Sequence, residues 1–255
     1  MTTIRVGSYN IHNGGVDRGS DARLKRQLGM LSEQGLDLLG VQEAKHWGRD
    51  HGRLRYEAEQ ILGMRSALVK SRHHGCHLVI FIRPGRLRII EARHVRGRPY
   101  WHAVACLRLA LRLDGADGDE REIEFENGHL APASPATRQT EAEAWHLLLK
   151  GSRAVIAVGD FNAAALHDPA LQIATKDPIA LRKLDTGPAQ ALADAGLHDV
   201  GALLGNTAPT VKRPIPYRCD RIYTTRPTWA QTFEIHPTRE SDHPLLVATF
   251  AVPRE

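Results

Sequence analysis

The sequence predicts one α/β domain over residues 1–255, in which two β-sheets pack together and helices cover their outer faces. Three observations lead there. Strand-length runs of apolar or alternating residues recur along the chain, interleaved with stretches at helical spacing. Gly and Pro are scattered through the connections, not gathered in a linker, and there is no repeat or low-complexity segment. With 255 residues, 42% of them apolar and 25% charged, the chain holds enough material for a sizeable core.

The elements follow in order. Ile4 to Tyr9 form a short strand that ends in the polar loop Asn10 to Gly19. Ser20 or Asp21 caps a helix whose Leu24, Leu28 and Leu31 recur near helical spacing, and Gly35 stops it. Leu36 to Gln42 is a short, nearly continuous apolar run, as in a strand buried on both faces. Residues 77–83 and 87–95 are β-rich and joined by the turn signal Pro84-Gly85. Residues 101–113 alternate through Val104, Leu107, Leu109, Leu111 and Leu113, which predicts a half-exposed strand. A Gly/Asp turn over 114–120 leads to a strand at 122–128. Ala136 to Leu149 is helical, with Trp145, Leu148 and Leu149 on its inner face; Arg153 to Val158 is again a buried strand. A helix over 188–195 and strands at 219–225, 231–236 and 245–252 complete the chain.

Composition excludes disorder, collagen and coiled coil as global descriptions. No stretch of about 18 apolar residues exists, so no membrane span is expected. The opening MTTIRVGSYN lacks the basic-then-apolar layout of a secretory signal. The three cysteines, Cys76, Cys106 and Cys219, are odd in number and show no pairing pattern, which fits a reducing cytoplasm. Lys and Arg exceed Asp and Glu, 34 to 29, for a formal charge of +5. That permits an anionic partner without requiring one, and the basic residues are spread with no basic tail. A monomer is the expectation, since no exposed amphipathic stretch stands out.

Polar residues gather where the apolar runs end: Asn10 in SYNIHNGG, Glu43 in GVQEA, His129 in NGHLAP, Asp160 and Asn162 in VGDFNA, and Asp242 with His243 in ESDHP. Loops at the ends of rigid strands are where proteins place reactive groups. Each has an ordinary structural reading alone: a turn Asn, a helix-capping Glu, turn-forming Asp and Asn, a structural His. Their joint occurrence in this order is what points to chemistry.

In that order they resemble the endonuclease/exonuclease/phosphatase superfamily, which includes deoxyribonuclease I, exonuclease III-like enzymes, sphingomyelinases, inositol polyphosphate 5-phosphatases and deadenylases. GDFNA and SDHP are the most specific pair; CDRIYTT resembles the strand that carries an Asp and so places Asp220; HLAP followed by Arg138 resembles the His-containing strand and the next helix. The resemblance implies a four-layer α/β sandwich of two packed, mainly antiparallel sheets flanked by helices. It implies a divalent-metal-dependent phosphoesterase using Mg²⁺ or Mn²⁺, with in-line attack of an activated water. By resemblance, Asn10, Glu43 and Asp242 hold the metal. Asp160 and Asn162 hold the water and phosphate, His243 contacts the scissile phosphate, Asp220 orients its imidazole, and His129 donates to a phosphate oxygen or the leaving group. Arg98 resembles a phosphate-contacting Arg of the deoxyribonuclease I branch, set against a solvated loop Arg. Arg138 faces the phosphate or caps the preceding loop. His129 stands where abasic-site endonucleases usually carry Tyr, which disfavours abasic-site repair.

The chemistry asks for these residue types. A phosphate ester is anionic and gains charge on attack, so its site needs positive charge and a positioned water. Mg²⁺ takes oxygen ligands and typically one or two carboxylates. Two unscreened carboxylates about 4 Å apart repel by roughly 4 kcal/mol at an effective dielectric near 20, so Glu43, Asp160, Asp220 and Asp242 cannot cluster without a cation, a protonated His or an Arg. Three substrate expectations follow: phosphodiester bonds of DNA or RNA first; then a small phosphorylated metabolite or lipid head group; and, from another class, a non-catalytic binding module that keeps the fold. The cluster His73, His74, Cys76 and His77 lacks recognised zinc spacing and is expected to be a polar loop.

Overall fold

The structure, a computed structural model, describes residues 1–115, 118–148 and 153–254, with side chains described except at 146–148. Twelve strands form two six-stranded sheets. The first sheet contains β1 (Thr2–Asn10), β2 (Leu38–Gln42), β3 (Arg65–Val69), β4 (Leu78–Ile82), β11 (Ala230–His236) and β12 (Leu245–Val252), in the order β11-β12-β1-β2-β4-β3. The second contains β5 (Leu87–Val95), β6 (Val104–Arg112), β7 (Glu120–His129), β8 (Ala154–Asp160), β9 (His198–Asp199) and β10 (Asp220–Thr224), in the order β5-β6-β7-β8-β10-β9. Both sheets follow one plan: the third and fourth strands are parallel and every other neighbouring pair is antiparallel.

Three apolar clusters separate four layers. Ile4, Val6, Ile80, Phe125, Val158 and Phe250 belong to the core between the sheets. Leu39, Val41 and Phe81, on the outer face of the first sheet, meet Leu24, Leu28 and Leu31 of α1 (Ala22–Ser32) and Leu54, Ala58 and Leu62 of α2 (Arg53–Leu62). Val155 and Ala157, on the outer face of the second, meet Ala142 and Trp145 of α3 (Pro135–Leu148) and Leu192 of α5 (Gly187–Asp194). The four-layer α/β sandwich is therefore the fold. The side chain of Leu148, Leu149, and part of the expected 114–120 turn lie outside the described residues.

One expectation is corrected. β6 is not half-exposed: it is buried along its length apart from Arg108 and Arg112. Leu107, Leu109 and Leu111 enter the inter-sheet core, while Val104 and Cys106 enter the cluster under α3, so polar spacing along the strand did not mark a wet face. Further elements form where the pattern gave no expectation, including α2, β3, the short helix α4 (Pro178–Lys183) and the single turn α6 (Val200–Leu203).

The two parallel pairs press against each other. A Cβ on Gly40 of β2 would come within 2.4 Å of Val158 Cγ2 on β8. Beside it, Asn127 of β7 donates its amide to the carbonyls of Val41 and Val79, both at 3.0 Å, and accepts from Gln42 Nε2 at 2.7 Å. The buried amide of Asn127 is thus satisfied across the sheets. The seam lies directly below the strand ends that carry the polar motifs.

Candidate active site

Parallel pairing brings strand ends of one direction side by side. In the first sheet Asn10 is in register with Gln42, the residue before Glu43; in the second His129 is in register with Asp160. The antiparallel neighbour β10 starts at Asp220, opposite Asp160. Seven of the expected residues, Asn10, Glu43, His129, Asp160, Asn162, Asp220 and His243, therefore converge at one end of the sandwich, where open α/β sheets bind ligands.

Asp160 is at the centre and is buried. Its Oδ2 accepts from Asn10 Nδ2 at 3.1 Å, and its Oδ1 from the Asn162 backbone N–H at 2.9 Å. The left-handed backbone of Asn162 (φ 51°) turns that N–H back onto the carboxylate. His129 Nε2 lies 3.5 Å and His243 Nε2 3.9 Å from Asp160 Oδ2. Burial pushes the Asp160 carboxyl upward, but His243, His129, Lys183 and the Asn162 N–H outweigh it and hold the group below the ordinary carboxylate range.

His243 Nδ1 sits 2.8 and 3.0 Å from the two oxygens of Asp220. Burial alone would depress this imidazole; the Asp220 carboxylate reverses the sign and raises it well above the ordinary value. With Nδ1 bonded to Asp220, Nε2 is the nitrogen presented to the site. Thr210 Oγ1 accepts from the backbone N–H of both Cys219 and Asp220 at 3.1 Å, and Ser241 Oγ donates to the Asn10 carbonyl at 2.7 Å and accepts from the His243 N–H at 3.2 Å. The His243 loop is therefore tied to the first sheet and the Asp220 strand to the loop before it.

The first-sheet side is a set of hard oxygens. Asn10 Nδ2 bridges Glu43 Oε1, at 3.3 Å, and Asp160 Oδ2, and Glu43 Oε2 accepts from the Asn13 N–H at 3.0 Å. Two carboxylates facing one point is an arrangement a divalent cation suits, and their oxygens are of the kind Mg²⁺ or Mn²⁺ prefers; Asn10 joins them through its amide nitrogen, while its Oδ1 accepts from the His12 N–H at 3.0 Å. A second group, Asp160, Cys219, Asp220 and His243, has ligand atoms within 4.8 Å of one another. It mixes oxygen with thiol and imidazole, and its members are already joined by internal hydrogen bonds, Cys219 Sγ to Asp220 Oδ2 at 3.3 Å among them. The residues whose oxygens fit a hard cation are Glu43 and Asp160, with Asn10 bridging them.

The other expected residues lie further out. Asp242 is exposed, and its Oδ1 pairs with His12 Nδ1 at 2.5 Å; the His12 hydrogen bond lowers the carboxyl, and Asp242 raises the imidazole in turn. Arg98 is exposed on the connection between β5 and β6. Of the two roles weighed for Arg138, the structure shows the loop cap: the guanidinium is fully buried, donates to the carbonyls of Ala131 and Arg182, and lies 3.7 Å from Asp185. His73 stacks on Trp101 and His77 Nδ1 accepts from the Ser71 N–H, so the His/Cys loop is spent on packing.

Two site residues escaped the sequence. Lys183, at the end of α4, donates Nζ to Asn162 Oδ1 at 2.6 Å and to the Pro132 carbonyl at 2.8 Å. His102 stacks on His129 with ring centroids 4.3 Å apart and meets Ser71 Oγ at 3.0 Å; burial, aided by His129, pulls it down to about 2, so it is a neutral shelf for the other ring. Neither belongs to a motif; a Lys after a Pro-initiated helix and a His in an aromatic loop give no signal without tertiary contact.

Carboxylates and imidazoles gathered at the strand ends of a four-layer sandwich define a class, and the comparisons agree with it. Residues 7–243 match the Endonuclease/Exonuclease/phosphatase family, and the chain belongs to that family. An endonuclease/exonuclease/phosphatase from Bacteroides vulgatus is similar in structure, with TM-score 0.74 and 15% identity over 99% of this chain and 100% of that one. The human Nocturnin catalytic domain with bound sulfate is similar at TM-score 0.67 and 16% identity, over 98% and 93%. A mannosyl-6-phosphatase of Bacteroides thetaiotaomicron gives TM-score 0.65 and 16% identity, over 96% and 98%. No curated protein matches the sequence. Members of the family are phosphoesterases and nucleases. Among the described residues no helix is long and apolar enough to cross a membrane.

Proposed function

We propose that this chain is a divalent-metal-dependent phosphoesterase that hydrolyses a compact phosphate ester with water. The observation that carries the reaction is the His243–Asp220 pair beside the fixed carboxylate of Asp160. A non-catalytic binder has no need of an imidazole raised by a buried carboxylate and aimed at a second one.

In this reading Asn10 and Glu43, with Asp160, hold the cation, which when bound draws negative charge from a phosphate oxygen. The chain's own groups do the rest. Asp160, locked by Asn10 and the Asn162 N–H, orients the attacking water. His243, kept protonated by Asp220, donates Nε2–H to a phosphate oxygen. His129, held flat by His102, offers Nε2 on the other side of Asp160 to a phosphate oxygen or the leaving oxygen. Asp242 belongs to this account as a water-mediated partner of the cation, with His12 holding it in place.

The compact substrate rests on a cavity of about 590 Å³ that opens from Asn162 and His243, within the range that suits small ligands. That one fold-mate is named a mannosyl-6-phosphatase shows that the fold accommodates such an ester. The basic surplus of +5 supports the second reading, phosphodiester bonds of DNA or RNA. Purified protein with Mg²⁺ or Mn²⁺, tested on phosphorylated metabolites, plasmid, single-stranded DNA and RNA, separates them. Phosphate release from a metabolite, stopped by chelator, is the expected result. Cleavage of polynucleotide alone transfers the assignment to the second reading, and no hydrolysis of any substrate removes the enzyme reading.

A further inference from the structure

We propose that the cavity beside the site binds the alcohol part of the substrate and that this part carries a second phosphate, received by Lys212 and Arg213. The inference rests on the phosphoesterase reading and names the substrate class for it.

The cavity joins two motif residues, Asn162 and His243, to segments that the family motifs do not include. Asn162 and His243 form its inner end, Lys183 its floor beside Asn162, and the loop before β10 brings Lys212, Arg213 and the buried Tyr217. Its charge is lopsided. Lys183, Lys212 and Arg213 face it together with His243, against Asp242 alone, and Asp242 is already paired with His12. Lys183 is engaged by Asn162 and the Pro132 carbonyl, so it belongs to the scissile phosphate's end. Lys212 and Arg213 are different: both are exposed, and among the described residues neither has a carboxylate partner.

A single phosphate held by His243, Asn162 and a cation leaves those two side chains idle. An ammonium next to a guanidinium, whose fork matches two phosphate oxygens, is suited to a second dianion. Pro209, Ile235 and Pro237 line the same cavity and give a polyol or ring an apolar wall. The space of about 590 Å³ suits one compact molecule bearing both groups.

The test compares a hexose bisphosphate with the corresponding hexose monophosphate and with a single-stranded DNA oligonucleotide, using wild type and the double variant Lys212→Ala/Arg213→Ala. Expected is a wild-type kcat/KM roughly tenfold or more higher for the bisphosphate than the monophosphate, a factor worth about 1.4 kcal/mol, and a ratio near one in the variant. Calorimetric binding of the bisphosphate to metal-free protein gives a second readout, and the affinity is expected to fall by a similar factor in the variant. Equal wild-type rates on both sugars, or a preference that survives in the variant, overturns the inference and leaves the phosphoesterase standing. Preference for the oligonucleotide over both sugars overturns it as well. Hydrolysis of nothing, with bisphosphate binding still lost in the variant, removes the reaction and keeps the cavity's assignment.

Discussion

The two sheets share a strand plan and differ in what they present. At the end of its parallel pair the first sheet offers Asn10 and Glu43, a neutral amide and a carboxylate. The second offers His129 and Asp160, with Asp220 across the next ladder, and the β11–β12 loop of the first sheet lays His243 against Asp220. The first sheet contributes Glu43 and, from its β11–β12 loop, the imidazole of His243, while the second contributes the carboxylates of Asp160 and Asp220 and the imidazole of His129. The same backbone device, a parallel pair ending at one edge, brings different side chains to the site from each sheet, so neither sheet carries one chemistry alone. Asp160 bonded to Asn10 is where the halves meet.

Removing one central group from each sheet, His243 from the first or Asp160 from the second, gives the largest expected effect. His243→Ala and Asp160→Asn are each expected to lower kcat by about 10²–10⁴-fold on whichever ester is hydrolysed, with circular dichroism unchanged. Variants that keep the parental rate would show that these two groups are ornamental. Glu43→Gln, on the first sheet, sharpens the division: the Mg²⁺ concentration for half-maximal rate is expected to rise roughly tenfold or more, about 1.4 kcal/mol of cation affinity, with a smaller loss at saturating metal. An unchanged metal titration would assign the cation elsewhere.

Stability tests the halves in turn. Gly40→Ala places a methyl against Val158 and Asn127 at the seam, so a destabilisation of about 1–3 kcal/mol in urea unfolding is expected. A separate stability effect is on pH. Burial raises the carboxyl of Glu126 on β7 to about 8 and that of Glu141 on α3 to about 7, although each also accepts hydrogen bonds, Glu126 from Trp145 and Glu141 from two backbone N–H groups. A folded-state value above the unfolded one favours the protonated form. That contribution is complete below about 4.5 and is lost as pH climbs through 7 to 8. The melting temperature is expected to fall across that window, and Glu126→Gln to flatten the fall; an equal slope in the variant would place the sensitive group elsewhere.

The strand ends that carry chemistry were legible because a short polar cluster closing an apolar run is a local signal. Asn10, Glu43, His129, Asp160 and His243 all show it and all converge, while Asp220, at the start of its strand, was placed through the resemblance of CDRIYTT. The layers were legible from run length and spacing. The partners were not. Lys183 meets Asn162, His102 meets His129 and His12 meets Asp242 through contacts between distant segments, and no local pattern encodes such a contact. Arg138 looked like a phosphate ligand beside a motif, but a buried guanidinium finding backbone carbonyls is equally compatible with that position. β6 misled for a related reason: in a four-layer fold both faces of a central strand are covered, so alternation no longer separates core from solvent.

The seam of Gly40, Val158 and Asn127 sets where this protein is free to change. Its closeness sets the spacing of the two sheets, and with it the separation of the residues that each brings to the site. New specificity has to be written in the segments laid over the rim, such as α4 and the loop before β10, whose drift leaves the reacting edges in register. An engineer who wants another ester should randomise those segments and leave the glycine alone.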